Sequence, residues 1–336
     1  MSTQHPDNVN IPFYVNNSIM NGDDEVQEAY YVYSHLKVDE QLWDIEGKEV
    51  DHYVVNKLLS KYPTYFKENI LGQDKFLTVR LPNPDVEPTD AKILAETIYS
   101  IPRNHDIATK FYGIDVSPMF EAVIPMCGSE KPLLRLNDFY KHFINNIQNH
   151  TISDTTVSSW LGDFKPSSIR ITPLFETKDQ ILNSNVYVEK YLSQTKTDDI
   201  QRVWFARSDP ALNYGSLAAV LLVKIALQRI KKLEEDISKE LYPIIGMGSS
   251  PFRGNFKPQT ASQIIKGYPS VQTFTIQSAY KYDSPLSEVQ DSIEYINSIS
   301  RKDPLFVDEE VTLKYIDLLE TEYSKIVSEL APIVIK

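Results

Sequence analysis

A TIM-type (β/α)8 barrel with additional helices is the fold the sequence predicts, on three observations. Short β-type runs alternate with helical patterns along most of the chain, an order that implies a parallel sheet with helical crossovers. The runs number eight when a fragment around Ser2 to His5 is included, and eight repeats imply closure. The length, 336 residues, holds one such barrel, which needs roughly 250 residues and tolerates insertions. An open doubly wound sheet is the structural alternative.

After the fragment at Ser2 to His5, a helix is predicted over Asp23 to Leu36, where Tyr30, Tyr31 and Tyr33 form an aromatic core face. Strand Gln41 to Ile45 and helix Asp51 to Leu71 follow, then strand Phe76 to Leu81 and helix Thr89 to Ser100. The alternation continues with strand Phe120 to Met126, helix Leu136 to Gln148, strand Ser168 to Phe175 and helix Lys178 to Leu192. Strand Arg202 to Arg207 leads to helix Gly215 to Lys239, whose first half (Leu217, Ala218, Ala219, Val220, Leu221, Leu222, Val223) is apolar on nearly all sides and so predicts deep packing. Strand Leu241 to Gly246, helix Gln259 to Lys266 and strand Val271 to Gln277 complete the repeat. The barrel is thus expected over residues 1–283. Two further helices, Leu286 to Ile299 and Asp308 to Leu330, are expected to start a C-terminal helical region over 284–336, which the ending APIVIK leads us to expect is incomplete.

Composition narrows the function. Hydrophobic residues make up 42% and charged residues 24%, as in ordinary globular proteins. A net charge of -12, with scattered basic residues, argues against nucleic acid and anionic membrane surfaces as partners. The most apolar run, Leu217 to Leu227, is interrupted by Lys224 and falls short of the roughly 20 residues that cross a bilayer. The N-terminus MSTQHPDNVN lacks the pattern of a signal peptide. Cys127 is the only cysteine, which excludes an internal disulfide and points to a reducing, cytoplasmic setting and a buried structural thiol.

Polar residues stand at nearly every predicted strand end, the face where barrel active sites form. His5 lies in HPDN, Asp44 and Glu46 in WDIEGK, Arg80 and Asn83 in VRLPNP, Glu176 in PLFET, Arg207 and Asp209 in FARSDPALNYG, and Gln277 in TFTIQS. Gly246 to Phe256, GMGSSPFRGNF, follows a buried strand with three glycines, two serines and Arg253. Free backbone N–H groups, small hydroxyls and a guanidinium fork suit a phosphate or carboxylate; a plain tight connection is the alternative. The loop has neither the lysine of a P-loop nor dinucleotide-fingerprint spacing. Glu176 and Asp209 end consecutive strands, about 4.8 Å apart in a sheet, so they can face one Mg²⁺; alternatively each pairs with a basic residue, Asp209 with Arg207. His35, His52, His105, His142 and His150 lack metal-ligand spacing and read as structural or surface residues.

STQHPDN, EAYYVYSHL, WDIEGKEVD, LLSKYP, VRLPNP, PLFET, FARSDPALNYG, PFRGNF and TIQSAYKYD together, in this order from Ser2 to Asp283, resemble the archaeal-type (type 2) phosphoenolpyruvate carboxylases. The resemblance implies carboxylation of phosphoenolpyruvate by bicarbonate, giving oxaloacetate and phosphate through carboxyphosphate and the enolate of pyruvate. It implies that Glu176 and Asp209 hold Mg²⁺ or Mn²⁺, that Arg253 meets the transferring phosphate, and that His5 steadies carboxyphosphate and assists removal of its proton. Arg80 is expected to bind substrate. Arg207 joins this catalytic group and, with Asn83, Asp44 and Gln277, is expected near the mouth. Gly246, Gly248, Ser249, Ser250 and Gly254, with Gln277 and Asn83, are expected to bind substrate and phosphate.

Two positions depart from the bacterial and plant types, which carry an arginine where this chain has Met247 and a lysine where it has Leu212. The resemblance also implies a homotetramer with feedback by an acidic amino acid. Relative to the family pattern the chain is expected to be clipped at both ends, so the second reading is an inactive barrel that binds phosphorylated metabolites or needs another polypeptide.

Overall fold

The computed structural model describes residues 1–15, 20, 22–45, 51–195 and 200–334. Strands β1 (Glu40–Asp44), β2 (Phe76–Arg80) and β3 (Glu121–Ile124) are followed by a separate hairpin of β4 (Thr151–Ile152) and β5 (Thr155–Thr156). Then come β6 (Arg170–Phe175), β7 (Gln201–Phe205), β8 (Leu241–Ile245) and β9 (Thr273–Phe274). Apart from the hairpin, the strands form one parallel sheet in chain order.

The two edges of this sheet are joined by the N-terminal fragment. Ser2 bridges in parallel to Gln41 on β1 and to Ile276 just beyond β9. The Ser2 amide donates to the Glu40 carbonyl at 2.7 Å and the Thr3 amide to the Ile276 carbonyl at 3.0 Å, while the Leu42 and Ile276 amides donate back to Ser2 and Met1 at 2.9 Å. A sheet whose edges are both paired is a barrel, so the predicted eighth stave is present. The open doubly wound alternative falls.

Strand alternation sorts side chains between two cores. Trp43, Val79, Ala122, Ile124, Val203, Phe205 and Ile245 point outward into the large core shared with the helices. Leu42, Val123, Leu174, Trp204, Ala206 and Ile244 form a small cluster inside the barrel. Earlier on the same inward faces, two residues before Leu42, Val123 and Trp204 and four before Leu174, lies a charged layer. There Arg202 donates to Glu40 at 2.7 and 2.8 Å and to Glu121 at 3.0 Å, and Arg170 donates to Glu121 at 2.9 Å. The apolar cluster therefore separates a self-neutralised ionic layer from the opposite, C-terminal rim.

Several boundaries differ from expectation. The stretch from Asp51 to Leu71 forms two helices, Val54–Lys61 and Pro63–Glu68, because Pro63 starts a new first turn. The helix expected to stop at Ser100 runs over Ala91–Tyr112, through Pro102, to Gly113 at φ 72°. Burial of Ile98, Ile101, His105 and Ala108 outweighs the proline's local penalty. Lys131–Phe139 begins earlier than predicted and continues as a π-helical segment, Tyr140–Asn145. In helix Ser216–Ile237 the residues Ala218, Ala219, Leu222 and Val223 are buried as expected, but Leu217 is 65% exposed. β9 spans two residues only.

Helices Leu286–Ser298 and Glu309–Val334 are both present, and the latter packs along Ser216–Ile237. Cys127 is fully buried, and burial pushes its thiol pKa far up. Tyr31 and Tyr33 are core residues, and Tyr30 stacks on Tyr62 with ring centres 3.7 Å apart. Among the described residues no helix is long and apolar enough to cross a membrane.

Candidate active site

A cavity of about 170 Å³ opens at the C-terminal rim. Its floor is the inner apolar cluster, Leu42, Leu174, Trp204 and Ala206, and its walls carry His5, Asp44, Arg80, Glu176, Arg207, Asp209, Gly246, Arg253 and Gln277. These polar residues come from the N-terminal fragment and from the ends of β1, β2, β6, β7, β8 and β9. They are remote in sequence, and barrel closure alone makes them neighbours.

Local sequence explains how the two carboxylates are held. Thr177 and Gln180 form a capping box at the start of helix Lys178–Gln194. The Gln180 side-chain oxygen accepts the amides of Glu176 at 3.0 Å and Thr177 at 3.3 Å, which pins the end of β6. Glu176 Oε2 accepts the Met126 amide at 2.6 Å, and Met126 sits at φ 51°, a conformation that few non-glycine residues adopt.

Asp209 lies in the first turn of helix Ser208–Tyr214, directly after β7. β6 and β7 pair in register at Phe175 and Phe205, so both carboxylates rise from adjacent staves onto one cavity. The expected alternative, an ion pair between Asp209 and Arg207, is absent. β7 ends at Phe205 and a helix begins at Ser208, so strand alternation does not carry across these residues.

The C-terminal helix grips both loops. Lys178 Nζ donates to Asp317 at 2.8 Å and Glu320 at 2.6 Å, and the Tyr323 hydroxyl donates to the Leu212 carbonyl at 2.8 Å. Periodicity gave no hint of these contacts, since they cross more than a hundred residues of chain.

The glycine loop is a closed structure. The Gly248 amide donates to the Arg253 carbonyl at 3.0 Å, and the Phe256 amide donates to the Gly248 carbonyl at 2.9 Å. A Cβ at Gly248 would lie 2.7 Å from both Arg253 Cβ and Gln277 Oε1. Ser249 Oγ donates to Asp7 at 3.1 Å, and the same carboxylate accepts the Ala279 amide at 2.7 Å. Asp7 thus ties the HPDN segment to the glycine loop and to the segment after β9. Gly246 and Arg253 line the cavity, whereas Gly248, Ser249, Ser250 and Gly254 shape the loop behind them.

His5 stands exposed at the rim. Partial burial of its ring and the nearby Arg253 guanidinium lower its pKa, which favours the neutral imidazole at neutral pH. Arg80 faces the cavity but grips Asp44 through Nε at 3.0 Å and Nη2 at 2.7 Å, as the cross-strand register of Asp44 with Arg80 dictates. Its charge is therefore largely balanced. Arg253 Nε and Nη1 and Gln277 Oε1 are buried atoms with no hydrogen-bond partner.

Two expectations are corrected. Asn83 is buried outside the cavity lining, and its amide donates to the Pro125 carbonyl at 2.9 Å. It joins the loops after β2 and β3, being spent on backbone rather than on substrate. Arg207 is no mouth residue: it is 1% exposed, in the wall beneath the glycine loop. Glu46 lies outside the described residues.

A sequence model described as phosphoenolpyruvate carboxylase matches residues 1–336. This chain belongs to the phosphoenolpyruvate carboxylase family. It is 48% identical over 334 residues to the phosphoenolpyruvate carboxylase of Pyrococcus horikoshii, covering 99% of this chain and 70% of that protein. Identity is 48% to that of Methanospirillum hungatei (99% and 69% covered) and 44% to that of Halobacterium salinarum (98% and 68%). All three are archaeal, in keeping with the archaeal type. Among solved structures, malate synthase from Haloferax volcanii superposes with a TM-score of 0.50 at 9% identity, over 92% of this chain and 77% of that one; this likeness concerns the fold alone.

Family membership gives meaning to the two departures in the loops. Met247 is buried, its amide donating to Thr275 Oγ1 at 2.8 Å. Leu212 is 53% exposed on the cavity wall. Neither position supplies a cation.

Proposed function

We propose that this cavity carboxylates phosphoenolpyruvate with bicarbonate, and that Glu176 and Asp209 hold the divalent metal the reaction uses. One observation carries the reading: two carboxylates on adjacent staves face an arginine with unpartnered N–H groups across a single cavity, in a chain of this family.

The donor set fits Mg²⁺ or Mn²⁺. Hard cations of this kind take one or two carboxylates and complete their shell with water and substrate oxygens. Among the described residues no group of three or more His, Cys, Asp or Glu could form a closed protein cage. A bound ion would act as a Lewis acid for the enolate and phosphoryl oxygens. Glu176 would be oriented for this by Gln180 and the Met126 amide, and Asp209 by the start of its helix.

The remaining roles follow from charge. Bicarbonate attacks phosphorus, the enolate of pyruvate leaves, and carboxyphosphate forms. Arg253 meets the phosphoryl group, where negative charge on oxygen must be stabilised. His5, neutral at pH 7, accepts the proton of carboxyphosphate as it breaks down to CO₂ and phosphate, and the proton departs with the phosphate. The enolate then attacks CO₂ to give oxaloacetate. The apolar floor and the glycine loop exclude the water that would protonate the enolate to pyruvate. A homotetramer with feedback by an acidic amino acid remains the expectation for assembly.

The test couples oxaloacetate to NADH oxidation by malate dehydrogenase, with Mn²⁺ binding followed separately by electron paramagnetic resonance. Asp209→Asn should abolish turnover and weaken Mn²⁺ binding at least tenfold. Turnover and Mn²⁺ affinity that both survive the substitution would refute the metal assignment.

A further inference from the structure

His5 stands at the end of the first stave, and residues 6–15 beyond it form neither helix nor strand. A segment without regular structure has a defined place only where its backbone groups find partners elsewhere. Among the described residues the His5 ring makes no hydrogen bond of its own, so the ties on the backbone around it set where it stands.

Those ties come from one place. Helix Ser278–Tyr282 and the residue after it, Asp283, bond the segment on both sides of the histidine. Ahead of His5, Lys281 Nζ donates to Ser2 Oγ at 3.1 Å and to the Thr3 carbonyl at 2.9 Å. The His5 carbonyl accepts the Ser278 amide at 3.2 Å, and Asp7 accepts the Ala279 amide at 2.7 Å. Beyond it, the Asp283 carboxylate accepts the Val9 amide at 2.9 and 3.0 Å and the Asn10 amide at 2.7 Å.

The two side-chain clamps differ in kind. Lys281 is buried, and its third bond goes to Glu28 Oε1 at 2.7 Å, an oxygen that the Tyr282 hydroxyl also reaches at 2.7 Å. An ammonium has three donors, and here two of them hold the first stave. Asp283 is partly exposed, where water could satisfy it, yet it is turned onto two successive amides just past the histidine. Neither residue lines the cavity, so neither acts on substrate directly.

We propose that Lys281 and Asp283 are positioning residues for His5: by holding the backbone before and after the histidine, they set its imidazole at the rim of the cavity. This rests on His5 taking the proton of carboxyphosphate and deepens that reading, since proton transfer needs hydrogen-bond reach and a displacement of about 1 Å costs roughly 100-fold. The charged groups around the ring are Arg253, Asp7, Arg80 and Asp209, so a ring that moves also changes its electrostatic surroundings.

Lys281→Met would strand Glu28 and disturb folding, so Asp283 carries the test. Its Oδ1 alone reaches both amides, at 3.0 and 2.7 Å; Asp283→Asn therefore keeps an acceptor for both, and Asp283→Ala keeps none. Asp283→Ala should lower kcat at least tenfold, with the KM for phosphoenolpyruvate and the Mn²⁺ affinity within twofold of the parent, while Asp283→Asn should keep kcat within threefold. In a His5→Ala background, Asp283→Ala should cost no more than a further twofold, because a residue that acts through another loses its effect once that one is gone. In the protein without substrate, the His5 C2 proton followed by NMR should titrate at higher pH in Asp283→Ala, as the ring leaves Arg253, and as in the parent in Asp283→Asn.

An unmoved His5 titration in Asp283→Ala overturns the proposal by itself. So does a kcat within threefold of the parent, a loss confined to KM, the full tenfold loss repeated in the His5→Ala background, or an Asp283→Asn as impaired as Asp283→Ala. A moved titration in a protein that forms no oxaloacetate would leave the positioning role standing and remove the carboxylase reading.

Discussion

Gly248→Ala adds one carbon at the point where the glycine loop folds back on itself. The new Cβ would stand 2.7 Å from Arg253 Cβ, 2.8 Å from Arg253 Cδ and 2.7 Å from Gln277 Oε1. Ordinary carbon contacts need about 3.5–4.0 Å, so Arg253 and Gln277 must retreat by about 1 Å. The backbone cannot absorb this freely, because hydrogen bonds at 3.0 and 2.9 Å tie Gly248 to Arg253 and Phe256. The backbone of Gly248 is not left-handed, so the effect comes from contact and not from φ.

A catalytic group displaced by about 1 Å costs roughly 100-fold in rate, or about 2.7 kcal/mol of transition-state stabilisation. Overpacking costs about 1–3 kcal/mol of stability. A chain of this size unfolds with an entropy of about 0.7 kcal/mol/K, so the Tm should fall by only about 1.5–4 °C. The coupled oxaloacetate assay should therefore report a folded protein with kcat down about 100-fold. Gly246→Ala, whose Cβ would meet Trp204 Nε1 at 3.2 Å, serves as the milder control. Turnover of Gly248→Ala within about threefold of the parent, at unchanged Tm, would refute the claim that this glycine positions Arg253.

Two further outcomes follow from the charges. Arg202→Met strands Glu40 and Glu121 in the barrel interior, and breaking a buried pair costs about 3–5 kcal/mol, a Tm loss of about 4–7 °C by calorimetry. Burial opposes ionisation of Glu40, but the charge and hydrogen bonds of Arg202 prevail and hold its pKa below the usual carboxylate value. The stability this contributes is present above about pH 4.5 and is lost as pH falls through the folded pKa. Without Arg202 the sign reverses, so the deficit of the variant should shrink from pH 8 to pH 5; a deficit independent of pH would contradict the pairing. The His5 C2 proton, followed by NMR, should titrate below about 6.5, since burial and Arg253 lower its pKa, and Arg253→Met should move that titration upward. An unmoved titration would separate the two residues.

Much of the fold was legible because it rests on short-range pattern. Period-two runs gave the seven parallel strands, and even the fragment at Ser2 showed as an eighth member before its bridges to Gln41 and Ile276 were seen. Local signals failed where tertiary burial outweighed them, as at Pro102, or where exposure broke an apolar run, as at Leu217. In the site, Glu176, Asp209, Arg253 and His5 were each marked by chemistry at a strand end. Asn83 carried the same mark and proved to be a loop tie, since a strand-end position does not say whether an amide faces substrate or backbone. Asp7, Lys178 and Tyr323 act through partners far along the chain and left no periodic trace.

By itself, the sequence determined the alternation of strands and helices, the family, and the residue types available at the rim. Only the tertiary structure decided which of them meet. It set Arg80 against Asp44 and parted Asp209 from Arg207, because these outcomes depend on register and on where β7 gives way to a helix. Closure also left Arg207 buried without a counter-charge while Arg202, five residues earlier, received two. Composition counts both as arginines, and only their surroundings tell them apart.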